Sequence, residues 1–374
     1  MSAAPYDVLV AGCGVAGAAA ALTAARAGAR VVALDAATPG PVIGESLCGQ
    51  GVTLLRRMGV LDHARRSAPL ENPGDLSCWD SESLVAKDFI FSRHGRGWHL
   101  DRASFDAALR EAAHATGAVI RRERFRAVRA CGGMWEVETD AGVWRARGLL
   151  DATGRRSAAA RRLGARRMRD APLAAVFCWG PDQTGDARTV VEAVADGWWY
   201  SAPVPGGRRV CVKHVAPAAA RDLLRRPGAF PAALRETLHL QRYCPPDAAW
   251  TAPRATDASG SALDMNHGER WLAVGDAAAT FDPLSAHGIL NALAHGLAGA
   301  AALLAELDGA VGRSRELDAQ LRKKRSGYLQ DIISLYAVAD RWGSQFYRDM
   351  IYENVKNFLR SEADLVPAER DAQP

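Results

Sequence analysis

The sequence predicts an α/β fold: a Rossmann-type domain opening at the N-terminus, interleaved with a second domain built on an antiparallel sheet, and a helical C-terminal segment. Three observations predict it. An apolar run from Tyr6 to Ala11 leads directly into Gly12, Gly14 and Gly17, in Gly-x-Gly-x-x-Gly spacing, and then into a run of helix formers. Four short segments between Val176 and Val215 have the length and the β-branched or aromatic content of successive strands. Residues 306–374 carry apolar side chains at helical spacing.

Tyr6 to Ala11 reads as a buried parallel strand, because Val8, Leu9 and Val10 are an unbroken apolar run. Ala18 to Ala27 is a helix ended by Gly28, and Val31 to Leu34 is a second strand. Asp35 stands at its end, about twenty positions past the glycines. Each residue of this βαβ unit has a physical task. Gly12 permits the tight turn, Gly14 leaves the backbone open to a pyrophosphate, and Gly17 lets the helix pack on the strand. Val15 and Ala16 open the helix, whose free N–H groups and partial positive charge face the phosphates. Asp35 accepts hydrogen bonds from an unphosphorylated ribose. The unit alone does not separate one dinucleotide from another.

Further on, Gly51 to Met58 is an expected helix, and residues 76–91 alternate as strands do (Leu76, Cys78, Phe89, Phe91). Asp101 to Thr116 is a helix with Asp101 as its cap. Val119 to Ala130 and Met134 to Thr139 form a strand pair around a Gly132-Gly133 turn. Gly148 to Ala152 is another buried strand, ending in Ala152-Thr153-Gly154. Val176 to Trp179, Thr189 to Val194, Trp198 to Val204 and Arg209 to Val215 make the antiparallel sheet, and Trp271 to Val274 is a strand leading into Gly275-Asp276.

Composition narrows the classes. The seven cysteines, 13, 48, 78, 131, 178, 211 and 244, include no Cys-x-x-Cys pair, which argues against a zinc knuckle and a disulfide framework and fits a reducing, cytoplasmic setting. No metal site is expected. The formal net charge is +5, carried mostly by arginine, and no basic run holds interleaved aromatics, so nucleic-acid binding is not expected. The uncharged stretch Val8 to Ala25 has about the length of a membrane span, but it is mostly Ala and Gly and reads as strand, turn and helix.

Three segments, the N-terminal βαβ, Ala152-Thr153-Gly154 and the run from Gly275 to Ile289, resemble in order and spacing the FAD-dependent aromatic hydroxylase superfamily, with the p-hydroxybenzoate hydroxylase fold. The resemblance implies FAD as cofactor, with Gly154 near it, Asp276 on its ribityl or pyrophosphate side, and Pro283 to Gly288 and Ile289 running beside the isoalloxazine. Gly44-Glu45-Ser46 resembles a loop of the tryptophan-halogenase branch, and His99 to Leu109 also fits that branch, with Arg102 reaching the FAD phosphates or ribose. Gly197 to Arg208 is most similar to the LodB/GoxB-like flavoproteins, which help mature tryptophylquinone cofactors. The division this implies is 1–75, 99–175 and 250–305 for the FAD-binding domain, 76–98 and 176–249 for the substrate domain, and 306–374 for the C-terminal helices.

The sequence also departs from the halogenases. Only Lys87 and Lys213 lie in the body of the domain pair, and neither has the halogenase lysine context. Trp198-Trp199-Tyr200 stands near the place of a Trp-x-Trp-x-Ile-Pro signature without matching it, and Ala286-His287-Gly288 replaces Ser-Thr-Gly. The implied function is therefore an FAD-dependent monooxygenase that hydroxylates an aromatic ring, with a tryptophan or other aromatic residue of a protein or peptide as the expected substrate. Small-molecule hydroxylation, halogenation, flavin-dependent reduction of double bonds and a non-catalytic assembly role are the alternatives. NAD(P)H or a separate flavin reductase supplies the electrons. The candidate acid/base groups are His287, in the flavin loop, and Glu45. Each has a structural alternative: His287 as a packing residue, and Ser46 beside Glu45 as a helix N-cap. Trp198, Trp199 and Tyr200 either line an aromatic chamber or alternate across a sheet as core residues, and His99 and His214 read as structural. Arg121 to Arg126 and Arg161 to Arg169 could dock an acidic partner, and the C-terminal helices either shape an entrance or pack on the parent domain.

Overall fold

Tyr6–Ala11 is the hub of an eight-stranded sheet in the computed structural model, which describes residues 5–36 and 43–365. It pairs in parallel with Val31–Leu34 on one side and Val143–Asp151 on the other. Val119–Arg121 and Trp271–Ala273 extend the parallel array outward. Val8 to Ala11 have no solvent exposure, as a strand covered by helices on both faces requires. Val119–Arg121 and Phe125–Cys131 are separate strands, where one was expected. At the break the Glu123 carboxylate accepts from Thr139 and Trp144, both at 2.7 Å, and the chain leaves the parallel array for the hairpin with Met134–Thr139.

The second sheet has seven strands, in the order Arg254–Asp257, Ala174–Pro181, Arg208–Val215, Gly197–Val204, Thr189–Val194, Gly74–Cys78 and Val85–Asp88. The four strands expected are antiparallel, and Gly74–Cys78 joins Thr189–Val194 in parallel. Phe89–Phe91 is a 3-10 turn and not a strand, because the Asp88 carboxylate accepts from the Ile90 N–H at 2.8 Å and tightens the chain there. One face of this sheet packs with Ile332, Tyr336, Phe346 and Tyr347 of the C-terminal helices Arg313–Ala339 and Gln345–Leu365. The other packs with Phe230, Leu234 and Leu240. Strand alternation sends Trp198 to the first face and Trp199 to the second.

Helix Val15–Arg26 lies against helix Gly288–Leu307. The latter is long and apolar enough to cross a membrane by length and composition, and here Leu293, Gly296, Ala300 and Leu303 are buried inside the fold. At Gly296 a Cβ would stand 2.2 Å from the Ala16 carbonyl oxygen, so the contact is backbone to backbone. Gly296→Ala should therefore destabilise the protein by about 2 kcal/mol, since overpacking outweighs the gain in helix propensity. Gly327, exposed in helix Arg313–Ala339 with nothing near its Cβ position, should gain about 0.5–1 kcal/mol on the same substitution. Urea unfolding of the two variants checks the contrast, and equal effects would mean the helix contact is loose.

Candidate active site

A cavity of about 550 Å3 lies between the C-terminal edge of the parallel sheet and the inner face of the second sheet, within the ~300–1,000 Å3 typical of small-molecule sites. The strands Tyr6–Ala11, Val143–Asp151 and Trp271–Ala273 each deliver a turn to it, through Gly14, Gly154 and Asp276. The three glycines of the first turn differ in what surrounds them. Gly12 has φ +97 and its Cβ would lie 2.3 Å from the Ala152 carbonyl oxygen; that of Gly17 would lie 1.9 Å from the Gly12 oxygen. Gly14 has nothing within 4 Å of its Cβ position, and neither do Gly154 and Gly288, which also line the cavity. Helices Val15–Arg26 and Gly288–Leu307 both begin at the cavity without a side-chain cap. Two sets of free N–H groups and two positive helix ends thus face one space.

The side wall is charged and tightly tied. Arg102 forks onto Asp106 (3.1 and 3.3 Å) and donates to the carbonyls of Ile43 and Gly44, both at 3.1 Å. This holds the Gly44-Glu45-Ser46 loop. The Glu45 side chain is only 4% exposed; one oxygen accepts from the Gly44 N–H at 3.0 Å and the other is buried without a partner. Burial pushes its carboxyl up to about 7. Asp276 is also raised by burial, against the charges of Arg155, Arg102 and Arg167. Asp282 accepts from the Leu284 N–H (2.9 Å) and the Tyr336 hydroxyl (2.7 Å), and burial raises it to about 6. These bonds fix the loop that enters helix Gly288–Leu307.

The opposite wall is aromatic. Trp198 stacks on His214 at 3.6 Å and 12°, with Phe177, Tyr200 and Val212 beside them. Burial lowers His214 to about 3, which leaves it neutral. Trp199 points away, edge-on to Phe230. Both sequence-based descriptions of this triplet therefore hold, for different members.

Of the residues expected at the site, Gly14, Val15, Ala16, Glu45, Ser46, Arg102, Gly154, Asp276, Pro283, Gly288 and Ile289 line this one cavity. Gly12 and Gly17 stand behind it, in the contact of turn and helix. Asp35 ends its strand 3.5 Å from Arg110. His287 is solvent-exposed at the N-cap of helix Gly288–Leu307 and is not among the lining residues. Ser46 is not a helix cap: Cys48 holds that position, and the Ser46 hydroxyl bonds to Tyr200 and His99. Arg155, Asp282 and His214 line the cavity without having been singled out for it. Asp282 sits within the Gly275 to Ile289 run and Arg155 directly follows Ala152-Thr153-Gly154, while His214 carries no local signal.

No family model matches the chain. Its sequence is 27% identical over 359 residues to LodB of Marinomonas mediterranea, described as an FAD-dependent oxidoreductase, covering 91% of this chain and 95% of that one. The myxobacterial chondrochloren halogenase CndH superposes with a TM-score of 0.84 at 21% identity, over 98% of this chain and 91% of the other. QhpG, a peptidyl tryptophan dihydroxylase essential for tryptophylquinone cofactor biogenesis, gives 0.74 at 23% identity, over 93% and 79%. The chain is similar to LodB over nearly its whole length and has the fold of the FAD-dependent halogenases and hydroxylases.

The walls fit such a cofactor. Gly14, Gly154 and Gly288 present bare backbone where any side chain would occupy the cavity, and the two uncapped helix ends suit a pyrophosphate and an anionic ring. The Glu45 carboxyl adds a test of its own. Its folded value, about 7, lies above the ordinary 4.5, so the folded state holds a proton that the unfolded chain has released. The stability associated with it is present below pH 4.5 and lost as pH rises toward 7. Glu45→Gln should remove this slope, changing the difference between variant and wild type by about 3 kcal/mol across that window in urea unfolding. A pH-independent difference would show that Glu45 is ionised and solvated.

Proposed function

We propose that this chain, an FAD-dependent oxidoreductase, is a monooxygenase that hydroxylates an aromatic ring, most naturally a tryptophan or other aromatic residue of a protein or peptide. The observation that carries it is a single cavity with a dinucleotide cradle on one wall, stacked aromatics on the other and Glu45 between them. Bound FAD, once reduced by NAD(P)H or a separate flavin reductase, supplies the activation of O2. The chain supplies position and charge. Gly14, Val15 and Ala16, with the helix they open, would hold the pyrophosphate, and Asp35 the ribose. Arg102 holds the Gly44–Ser46 loop, and Asp276 would face the ribityl or pyrophosphate side. Pro283 to Ile289 would run beside the ring, where the N-terminus of helix Gly288–Leu307 would stabilise negative charge. Glu45, buried and half-protonated near neutrality, holds or takes the proton exchanged at the substrate. The geometry favours it over the exposed His287 for that role.

The peptide part of the proposal is supported by the similarity to LodB and the likeness to QhpG. Of the basic stretches, Arg121 to Arg126 and most of Arg161 to Arg169 present exposed arginines, while Arg167 is turned inward onto Ser157, Ser261 and the Asp276 and Ala277 carbonyls. Halogenation is the second reading, because halogenases share the fold. Against it, no lysine lines the cavity among the described residues, and Lys213 lies with Trp199 on the far face, bonded to Asp196 at 2.8 Å.

Gly14→Val should keep the native fold by circular dichroism, since its Cβ enters open space, yet lose bound FAD; normal flavin content would overturn the cradle. Glu45→Gln should slow product formation by about 100-fold, and His287→Ala by no more than a few-fold. The deciding measurement is mass spectrometry of free indoles and of a co-expressed partner protein, incubated with enzyme, reductant, O2 and bromide. Added oxygen supports the proposal, and added bromine refutes it.

A further inference from the structure

Ser46 and His99 face each other across two antiparallel strands, Ser46–Leu47 and Gly97–His99, and Tyr200 reaches them from the second sheet. Three hydrogen bonds link these residues in line. His99 Nε2 is 2.9 Å from the Ala187 carbonyl oxygen, His99 Nδ1 is 3.2 Å from the Ser46 hydroxyl, and that hydroxyl is 2.7 Å from the Tyr200 hydroxyl.

The carbonyl decides the direction of the whole chain. It can only accept, so Nε2 carries the proton and donates. In a neutral imidazole Nδ1 is then a bare lone pair, and the Ser46 hydroxyl must donate to it. Ser46 has one hydrogen, so toward Tyr200 it can only accept, and the Tyr200 hydroxyl donates to Ser46. His99 has no solvent exposure, and burial lowers it to about 4, which keeps it neutral in the range where the enzyme would work. The same burial makes His99 a poor destination for a proton. The chain therefore orients groups and does not conduct.

We propose that His99, Ser46 and Tyr200 form a directed hydrogen-bond chain that presents the Tyr200 oxygen to the cavity as an acceptor, so that the substrate ring carries an N–H or O–H donor. Tyr200 and Ser46 line the cavity beside the stacked Trp198 and His214, while His99 acts only through them. His99 and Ser46 are positioning residues, and Tyr200 is the group that meets the substrate. The inference rests on the aromatic wall being the substrate chamber. It narrows the substrate class to indoles and phenols and disfavours their N- or O-alkylated counterparts.

The test uses the FAD-loaded protein and two probe pairs, indole with 1-methylindole and phenol with anisole, titrated against the flavin absorbance spectrum. In the wild type the donor member of each pair should bind about tenfold more tightly. Tyr200→Phe and Ser46→Ala should bring the two members together, and Ser46→Thr should preserve the preference. Equal binding in the wild type, or a preference that survives Tyr200→Phe, overturns the directed chain while leaving the chamber intact. Failure of every ring to bind overturns the chamber itself. Nitrogen-15 spectra of histidine-labelled protein, with His99 assigned through His99→Asn, read the direction without any ligand. An Nε2–H tautomer that does not titrate between pH 6 and 8 is expected, and an Nδ1–H tautomer overturns the proposal.

Discussion

Where Gly296 meets Ala16, and Gly17 meets Gly12, there is no room for a single Cβ atom. This backbone-to-backbone contact sets how helix Val15–Arg26, helix Gly288–Leu307 and the first turn sit against one another, and the architecture of the cavity follows from it. Gly275 extends the same contact, with its Cβ position 2.5 Å from the Ala16 methyl. Because the helices touch this closely, both N-termini arrive at one space, and two positive ends separated in sequence by more than two hundred residues face the same cavity.

Against this cradle the second sheet sets a wall in which polar groups are costly and nearly all accounted for. Asp282 is satisfied by Leu284 and Tyr336, and Tyr336 in turn accepts from Trp198 at 3.2 Å. The C-terminal helix Arg313–Ala339 thereby reaches the loop at Asp282 that enters helix Gly288–Leu307, and Tyr328 does so again through the Asp282 N–H at 2.7 Å. The exceptions are informative. One Glu45 oxygen and His214 Nδ1, on residues that line the cavity, are buried without protein partners, as is Trp199 Nε1 on the sheet's far face.

Much of the cradle was legible because its residues are neighbours in sequence. Gly12, Gly14 and Gly17 announce a turn, and Gly275 to Ile289 carries a loop and the helix that follows it. The chemistry there depends on local backbone geometry, which spacing encodes. Glu45, Ser46 and Arg102 were legible only through resemblance. At His287 the resemblance placed the loop, which lines the cavity, while His287 itself is exposed and is not among the lining residues.

By itself the sequence determined the parallel sheet around Tyr6–Ala11, the glycine turn, the capped helix after Asp101, the antiparallel strands and the helical C-terminus. Each is a periodicity or a cap expressed within a few residues. Only the tertiary structure decided that Trp198 and Tyr200 face the cavity while Trp199 does not, that Val119–Arg121 belongs to a different ladder from Phe125–Cys131, and that Ser46 bonds to His99 and Tyr200 instead of capping a helix. The reason is physical. A hydrogen bond between residues 46 and 200 has no local signature, because its partners are chosen by how two sheets pack, and that packing depends on the whole chain at once.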